Sequence, residues 1–255
     1  MTCMTWTSRR TAMLLAALLV ALLLPLAGAA PFAPAGAATE PVMKRVQIGT
    51  SVKGRPIYAY HRYHPGAWRK VVVIGAIHGD ERAGMRVIRR LKRSNPPASL
   101  NLWLIPTVNP DGWAADRRTN AHRVDLNRNF PYRWRQINRG TETWSGPSAA
   151  SEPETKALKA FITKVNPRIT VTFHQPLFGV GRNSKRNDVV YALARRAELP
   201  VKSFSCSGVC YGSFTSWHNA KRSGVAVTVE FGKPHVSDWR IGKAASAVLT
   251  VGSRF

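Results

Sequence analysis

Three apolar runs in this chain end in residues of the kinds that bind metals. Val71-Val72-Val73-Ile74-Gly75-Ala76-Ile77 leads into His78-Gly79-Asp80-Glu81, Ile169-Thr170-Val171-Thr172-Phe173 into His174, and Val225-Ala226-Val227-Thr228-Val229 into Glu230. Short apolar runs rich in β-branched residues read as strands buried on both faces, as in parallel sheets. In open α/β sheets, ligands bind in the crevice beyond the carboxyl ends of the strands. The fold is therefore expected to bring these ends to one point. An imidazole and a carboxylate three residues apart supply two of the three ligands of a catalytic zinc, with a distant His as the third and one position left for water. Taken singly, each feature has a bland reading: His-x-x-Glu as a chance match, His174 as a core histidine, Glu230 as a strand-end charge paired with a base. Jointly the bland readings fit less well.

Between these runs the chain alternates. Ile48 to Ile57 reads as a strand, a glycine-containing turn and a second strand, a hairpin at a sheet edge. After Glu81, Met85, Ile88 and Leu91 recur at helical spacing, and Asn101 to Val108 reads as another buried strand, which makes a β-α-β unit. Asn109-Pro110-Asp111-Gly112 is a turn signal, and from there to about Gly146 no period is sustained. So long an irregular stretch inside a compact domain usually carries function. Ser151-Glu152-Pro153-Glu154 reads as a capping box before the stripe Leu158, Phe161, Ile162 and Val165. Asp188 to Leu199 and Trp239 to Val251 are further helices. The expected architecture is α/β: a single domain whose mostly parallel, mixed sheet is flanked by helices on both faces.

Residues 1–38 are set apart as a secretory signal and an Ala/Pro-rich leader, with 39–255 as the catalytic domain. Arg9 and Arg10 precede an apolar core from Ala12 to about Leu26 and two small-residue clusters. Ser8-Arg9-Arg10-Thr11 leaves both the general and the twin-arginine export routes open. The apolar core falls short of the ~20 residues of a membrane span, so no retained anchor is expected. In an oxidising compartment Cys206 and Cys210, the pair left after Cys3 is removed, are expected to bridge and stiffen their loop. The whole chain carries +25, and removing Arg9 and Arg10 leaves +23. Such a protein is expected to adhere to anionic cell-wall polymers. The basic residues are spread along the chain with no stacking platform, which argues against specific nucleic-acid reading.

Read together, Gly54-Arg55-Pro56, His78-Gly79-Asp80-Glu81, Asn109-Pro110-Asp111-Gly112, Arg118-Thr119-Asn120-Ala121, Val124-Asp125-Leu126-Asn127-Arg128-Asn129-Phe130, Ser151-Glu152-Pro153-Glu154-Thr155, Phe173-His174 and Val229-Glu230 resemble the zinc metallocarboxypeptidase family. Within it they look like the bacterial branch of murein peptide amidases, which cut the γ-D-glutamyl-diaminopimelate bond. The resemblance implies one zinc held by His78, Glu81 and His174, Glu230 as general base and acid, and Arg118 stabilising the oxyanion, with Arg117 as its neighbouring competitor. It implies that Asn127 and Arg128 grip the free carboxylate of a peptide substrate and that Asp125 orients a ligating histidine. Tyr211 is the approximate counterpart of the family's mobile phenol. Bacterial relatives commonly have Gly before Val-Asp-Leu-Asn, where this chain has His122-Arg123. Phe214 stands where the floor of the specificity pocket tends to lie, and it is not acidic. A general carboxypeptidase acting on protein C-termini, and a cationic wall-binding module retaining a zinc site, are the alternatives.

Overall fold

Alternation along the central strands decides which face each side chain enters, and both faces are apolar. The computed structural model describes residues 40–182, 185–204, 210–232 and 235–255, and Thr39–Phe255 forms one compact unit. In β3 (Arg69–Ile74), β5 (Ile169–His174) and β8 (Val225–Glu230), Val71, Val73, Val171, Phe173, Val227 and Val229 face one layer. That layer is α1 (Ala83–Lys92), α4 (Asn187–Ala197) and α6 (Asp238–Arg254). The intervening Val72, Ile74 and Ala226 face α3 (Pro153–Val165) and α5 (Phe214–Lys221). Continuous apolar runs are thus a two-faced sheet read along its strands.

The remaining strands are β1 (Val42–Thr50), β2 (Pro56–Tyr63), β4 (Leu100–Ile105), β6 (Gly179–Gly181) and β7 (Val201–Lys202). The sheet order is β1-β2-β4-β3-β5-β8-β6-β7. The block β4-β3-β5-β8 is parallel, while β1/β2, β2/β4 and β6/β8 pair antiparallel. The expected edge hairpin is present, its Gly54 turn at φ +76°. No described helix is long and apolar enough to cross a membrane. The expected leader over residues 1–38 and Cys206, one half of the expected Cys206–Cys210 bridge, fall outside the described residues.

Three local expectations are corrected. On α1 the buried stripe is Gly84, Val87, Ile88 and Leu91, with Met85 only half-buried. Asn109-Pro110-Asp111-Gly112 opens a short helix, α2 (Pro110–Ala114), with Asn109 as N-cap accepting from the Gly112 N–H. The capping box at Ser151 does not form. Glu152 is the N-cap of α3 and makes no side-chain cap bond, while the Ser151 hydroxyl donates to Glu152. Glu152 and Glu154 are instead buried and committed to other elements. Glu154 accepts from the Val52 N–H beside the β1–β2 turn and, like Glu152, from the Asn120 amide.

From residue 115 to 152 the only regular element is a 3-10 turn, Leu126–Arg128. Buried side chains serve this backbone in place of a ladder. The Asn129 amide, fully buried, donates to the Ser145 and Ser148 carbonyls and accepts from the Glu152 N–H. The Asn120 oxygen accepts from the His122 and Val124 N–H groups.

Candidate metal centre and cleft

The chain does not turn at the end of β3. It runs buried through Gly75 to Ile77, hydrogen-bonded to the continuation of β4, before delivering His78. The turn that follows lies flat on the Asn109–Gly112 turn: a Cβ on Gly79 would sit 2.0 Å from the Gly112 carbonyl carbon. Glycine in His-Gly-Asp-Glu is therefore a close-approach requirement, and it fixes where Glu81 emerges. His174 and Glu230 need no such device, being register neighbours at the ends of β5 and β8.

His78, Glu81 and His174 are all buried, and their ligand atoms lie within 4.8 Å of one another. Nδ1 of His78 stands 2.7 Å from one Glu81 oxygen, and Nδ1 of His174 stands 2.8 Å from the other. Nε2 of His78 faces Asp125 Oδ1 at 3.0 Å. Burial works against charge on Asp125, but His78 and Arg118 outweigh it and hold the carboxylate ionised far below its usual range. An ionised Asp125 takes the Nε2–H of His78, so Nδ1 turns its lone pair on Glu81. Two acceptors at 2.7 Å require a positive charge between them. A proton can fill that role, and despite burial Glu81 and Asp125 raise His78 to about 9. A divalent cation fills it better, because it also satisfies His174. The residues fit zinc by donor type and number: two imidazoles and one carboxylate, with the second histidine nitrogen fixed from behind.

The triad opens into a cleft of about 320 Å³ whose wall includes Arg118, Asn127, Arg128, Thr228 and Glu230. Arg118 donates to Asp125 through Nε and Nη2, at 3.0 and 2.8 Å, and its Nη1 lies 3.6 Å from Glu81. Arg117 lines a different cavity, so of the two neighbouring arginines only Arg118 reaches the triad. Asn127 accepts the Phe214 N–H through Oδ1, which turns its amide NH₂ away from that bond. The Arg128 guanidinium, largely buried, donates to the Asn127 carbonyl, and burial lowers its pKa. Glu230 is 7 % exposed, and one of its oxygens accepts the Leu177 N–H at 3.1 Å. Burial, reinforced by Glu81 and opposed by His174, raises its pKa.

Two assignments lie elsewhere in the structure. Tyr211 is not on the cleft wall; its ring packs under the Arg135 guanidinium at 4.8 Å, in a recess shared with Arg133 and Trp134. Phe214 is fully buried against Phe130 and Trp217. Its neighbours Ser213, Thr215 and Ser216 line the cleft instead, and Thr215 shares a 2.8 Å hydroxyl contact with Thr228. The Asn120–Glu152–Glu154 bracket went unread in the sequence. Two carboxylates around Pro153, in a chain with only 13 acidic residues, were the available signal.

Residues 35–176 match the sequence profile of the family described as zinc carboxypeptidase, a span that contains the triad but not Glu230. The chain is 32% identical over 182 residues to murein peptide amidase A of Escherichia coli K12, covering 66% of this chain and 74% of that protein. It is 31% identical over 218 residues to murein peptide amidase A of Vibrio campbellii, covering 80% and 85%. The crystal structure of murein-tripeptide amidase from Escherichia coli O157 aligns with a TM-score of 0.67 at 30% identity, over 86% of this chain and 94% of that one. Carboxypeptidase A from Helicoverpa armigera shares the fold, with a TM-score of 0.68 at 18% identity over 84% of this chain and 68% of that one.

Proposed function

The chain belongs to the zinc carboxypeptidase family, and on that premise we propose that it is a secreted, zinc-dependent amidase. Its substrate is a peptidoglycan-derived peptide, cut at the γ-D-glutamyl-diaminopimelate bond near a free carboxylate. That it is a metallopeptidase follows from the family; the murein substrate is supported by the two amidases it resembles over most of their length. The observation that carries the chemistry is the acceptor-to-acceptor approach of His78 Nδ1 and Glu81, backed by an ionised Asp125.

His78, Glu81 and His174 would hold a zinc ion, which when bound would supply Lewis-acid polarisation of the scissile carbonyl and a more acidic water. Glu230 receives the water's proton and passes it to the leaving amine. Its raised pKa suits a group that must take and then return a proton near neutral pH. The Leu177 N–H pins one oxygen of Glu230 and so fixes where the other points. Arg118, held by Asp125, presents a preset positive charge to the oxyanion as it develops, with no reorganisation at the moment of reaction. Asn127 and Arg128 bind the terminal carboxylate; a guanidinium matches it with two parallel donors.

One preparation tests the reading: zinc content and turnover are measured together, on a γ-D-glutamyl-diaminopimelate peptide and on an ordinary C-terminal peptide. One zinc per chain with chelator-sensitive cleavage of the first substrate is expected. Cleavage of the second alone makes it a general carboxypeptidase, and absence of metal removes the centre. Export rests on the composition of residues 1–38; recovery from the medium of a chain still beginning at Met1 would rule out cleavage of that leader.

A further inference from the structure

Behind the cleft wall lies a second cavity of about 460 Å³, lined by Arg117, Arg123, Arg139, His122, Glu142 and Trp144 among others. The two cavities share a wall: Arg118 and Thr143 face the cleft, while Arg117, Glu142 and Trp144, their chain neighbours, face the second cavity. Among the described residues none of the three arginines makes an ion pair or side-chain hydrogen bond. Glu142, the one carboxylate on the lining, also has no partner there, and His122 is engaged by Glu152 at 2.8 Å. Three guanidiniums around one cavity repel one another.

Two further observations indicate what the cavity lacks. Arg117 Nε and Trp144 Nε1 are shut off from solvent and have no hydrogen-bond partner. A buried donor left unmade costs on the order of 1–3 kcal/mol. Both atoms are donors of side chains that line the cavity, and each side chain would turn to reach a ligand held there. Arg123, moreover, is held at φ +66°, a left-handed conformation that costs a side chain other than glycine about 1–2 kcal/mol. Strain kept at a position whose side chain lines a cationic cavity is a pointer to binding.

The geometry points to an anion site here, taking a phosphate group. The excess of cations over the single Glu142 matches a doubly charged oxyanion better than a single carboxylate, and guanidinium and indole N–H groups are phosphate donors. The phosphate is either free or a phosphodiester of an anionic wall polymer. The site does not depend on the reaction proposed for the cleft.

Calorimetric titration of the purified chain at low ionic strength, with inorganic phosphate and separately with a glycerol phosphate oligomer, tests it. Saturable binding is expected. Arg123→Gly combined with Arg139→Ala weakens it about tenfold or more, because two charge-assisted contacts go. Arg89→Ala with Arg93→Ala removes the same charge from exposed positions in and just after the last turn of α1 and leaves binding nearly unchanged. Equal weakening by both pairs, or no saturation with either ligand, reduces the effect to bulk charge and overturns the site. Tighter binding of the oligomer per phosphate assigns the polymer as source, and equal affinity assigns free phosphate. In the unsubstituted chain the Trp144 indole N–H resonance, identified by its loss in Trp144→Phe, must move on titration; a resonance that stays put at saturation also overturns it.

Discussion

Replacing Glu230 by Gln keeps the shape and the Leu177 contact of this side chain and removes its ability to take a proton. Turnover is expected to fall by about 10²–10⁴ with zinc content unchanged, and a variant that keeps its activity moves the base elsewhere. Arg123 carries the opposite prediction. At φ +66° glycine loses nothing sterically, so Arg123→Gly should raise stability by about 1 kcal/mol; a denaturant midpoint that falls refutes this. Residue-level placement was legible where the chemistry is in the residue type: strand-end patterning expected His78, Glu81, His174 and Glu230 to converge, and they line one cleft. Where the Tyr211 and Phe214 rings lie was not legible, because neighbours along the chain do not say which way a ring turns. Each found apolar or cationic company that pattern alone does not reveal.

Among the elements, the tightest joint is α1 against the sheet. A Cβ on Gly84 would meet the Gly75 carbonyl oxygen at 1.9 Å and Phe173 Cβ at 2.5 Å. Gly84→Ala must therefore push α1 away from β5, between Glu81 on one side and His174 on the other. A loss of about 1–3 kcal/mol is expected, together with weaker zinc retention; if stability falls and zinc affinity does not, the joint is structural alone. The start of α3 is the second joint. Glu154→Ala orphans the Val52 N–H and removes one partner of the Asn120 amide, and a cost of about 2 kcal/mol is expected, read by chemical denaturation. Helix and strand positions followed from periodicity, since α1, α3, α4 and α6 each bury one stripe. The capping box failed because Glu152 and Glu154 gain more from buried donors on other segments than from their own helix.

For the whole molecule, acid should unfold the protein partly through His218. It is fully buried, its Nδ1 has no partner, and burial, then Lys185 and Arg222, lower its pKa to about 4. The unfolded chain protonates this histidine near 6.5 while the fold holds it neutral to about 4, so stability falls as pH drops through that interval. At about 1.4 kcal/mol per pH unit, its share is on the order of 3 kcal/mol. His218→Asn should flatten the stability curve between those limits, and an unchanged slope rules the residue out.

The sequence alone determined the class of fold, because a strand buried on both faces has to be apolar at every position and the intervening helices one-sided. It determined the donor set as well, because zinc chemistry restricts the side chains that can serve. What residue patterning could not determine, and only the family resemblance anticipated for Asp125 and Arg118, was which groups meet across long separations. Asp125 turning the His78 lone pair onto Glu81, Arg118 rather than Arg117 entering the cleft, and three unpaired arginines closing on one cavity all arise in the irregular stretch from 115 to 152. That stretch has no ladder or helix to impose a period. Its course is set by buried asparagines and glutamates whose partners lie up to 34 residues away, and only the folded chain brings them together.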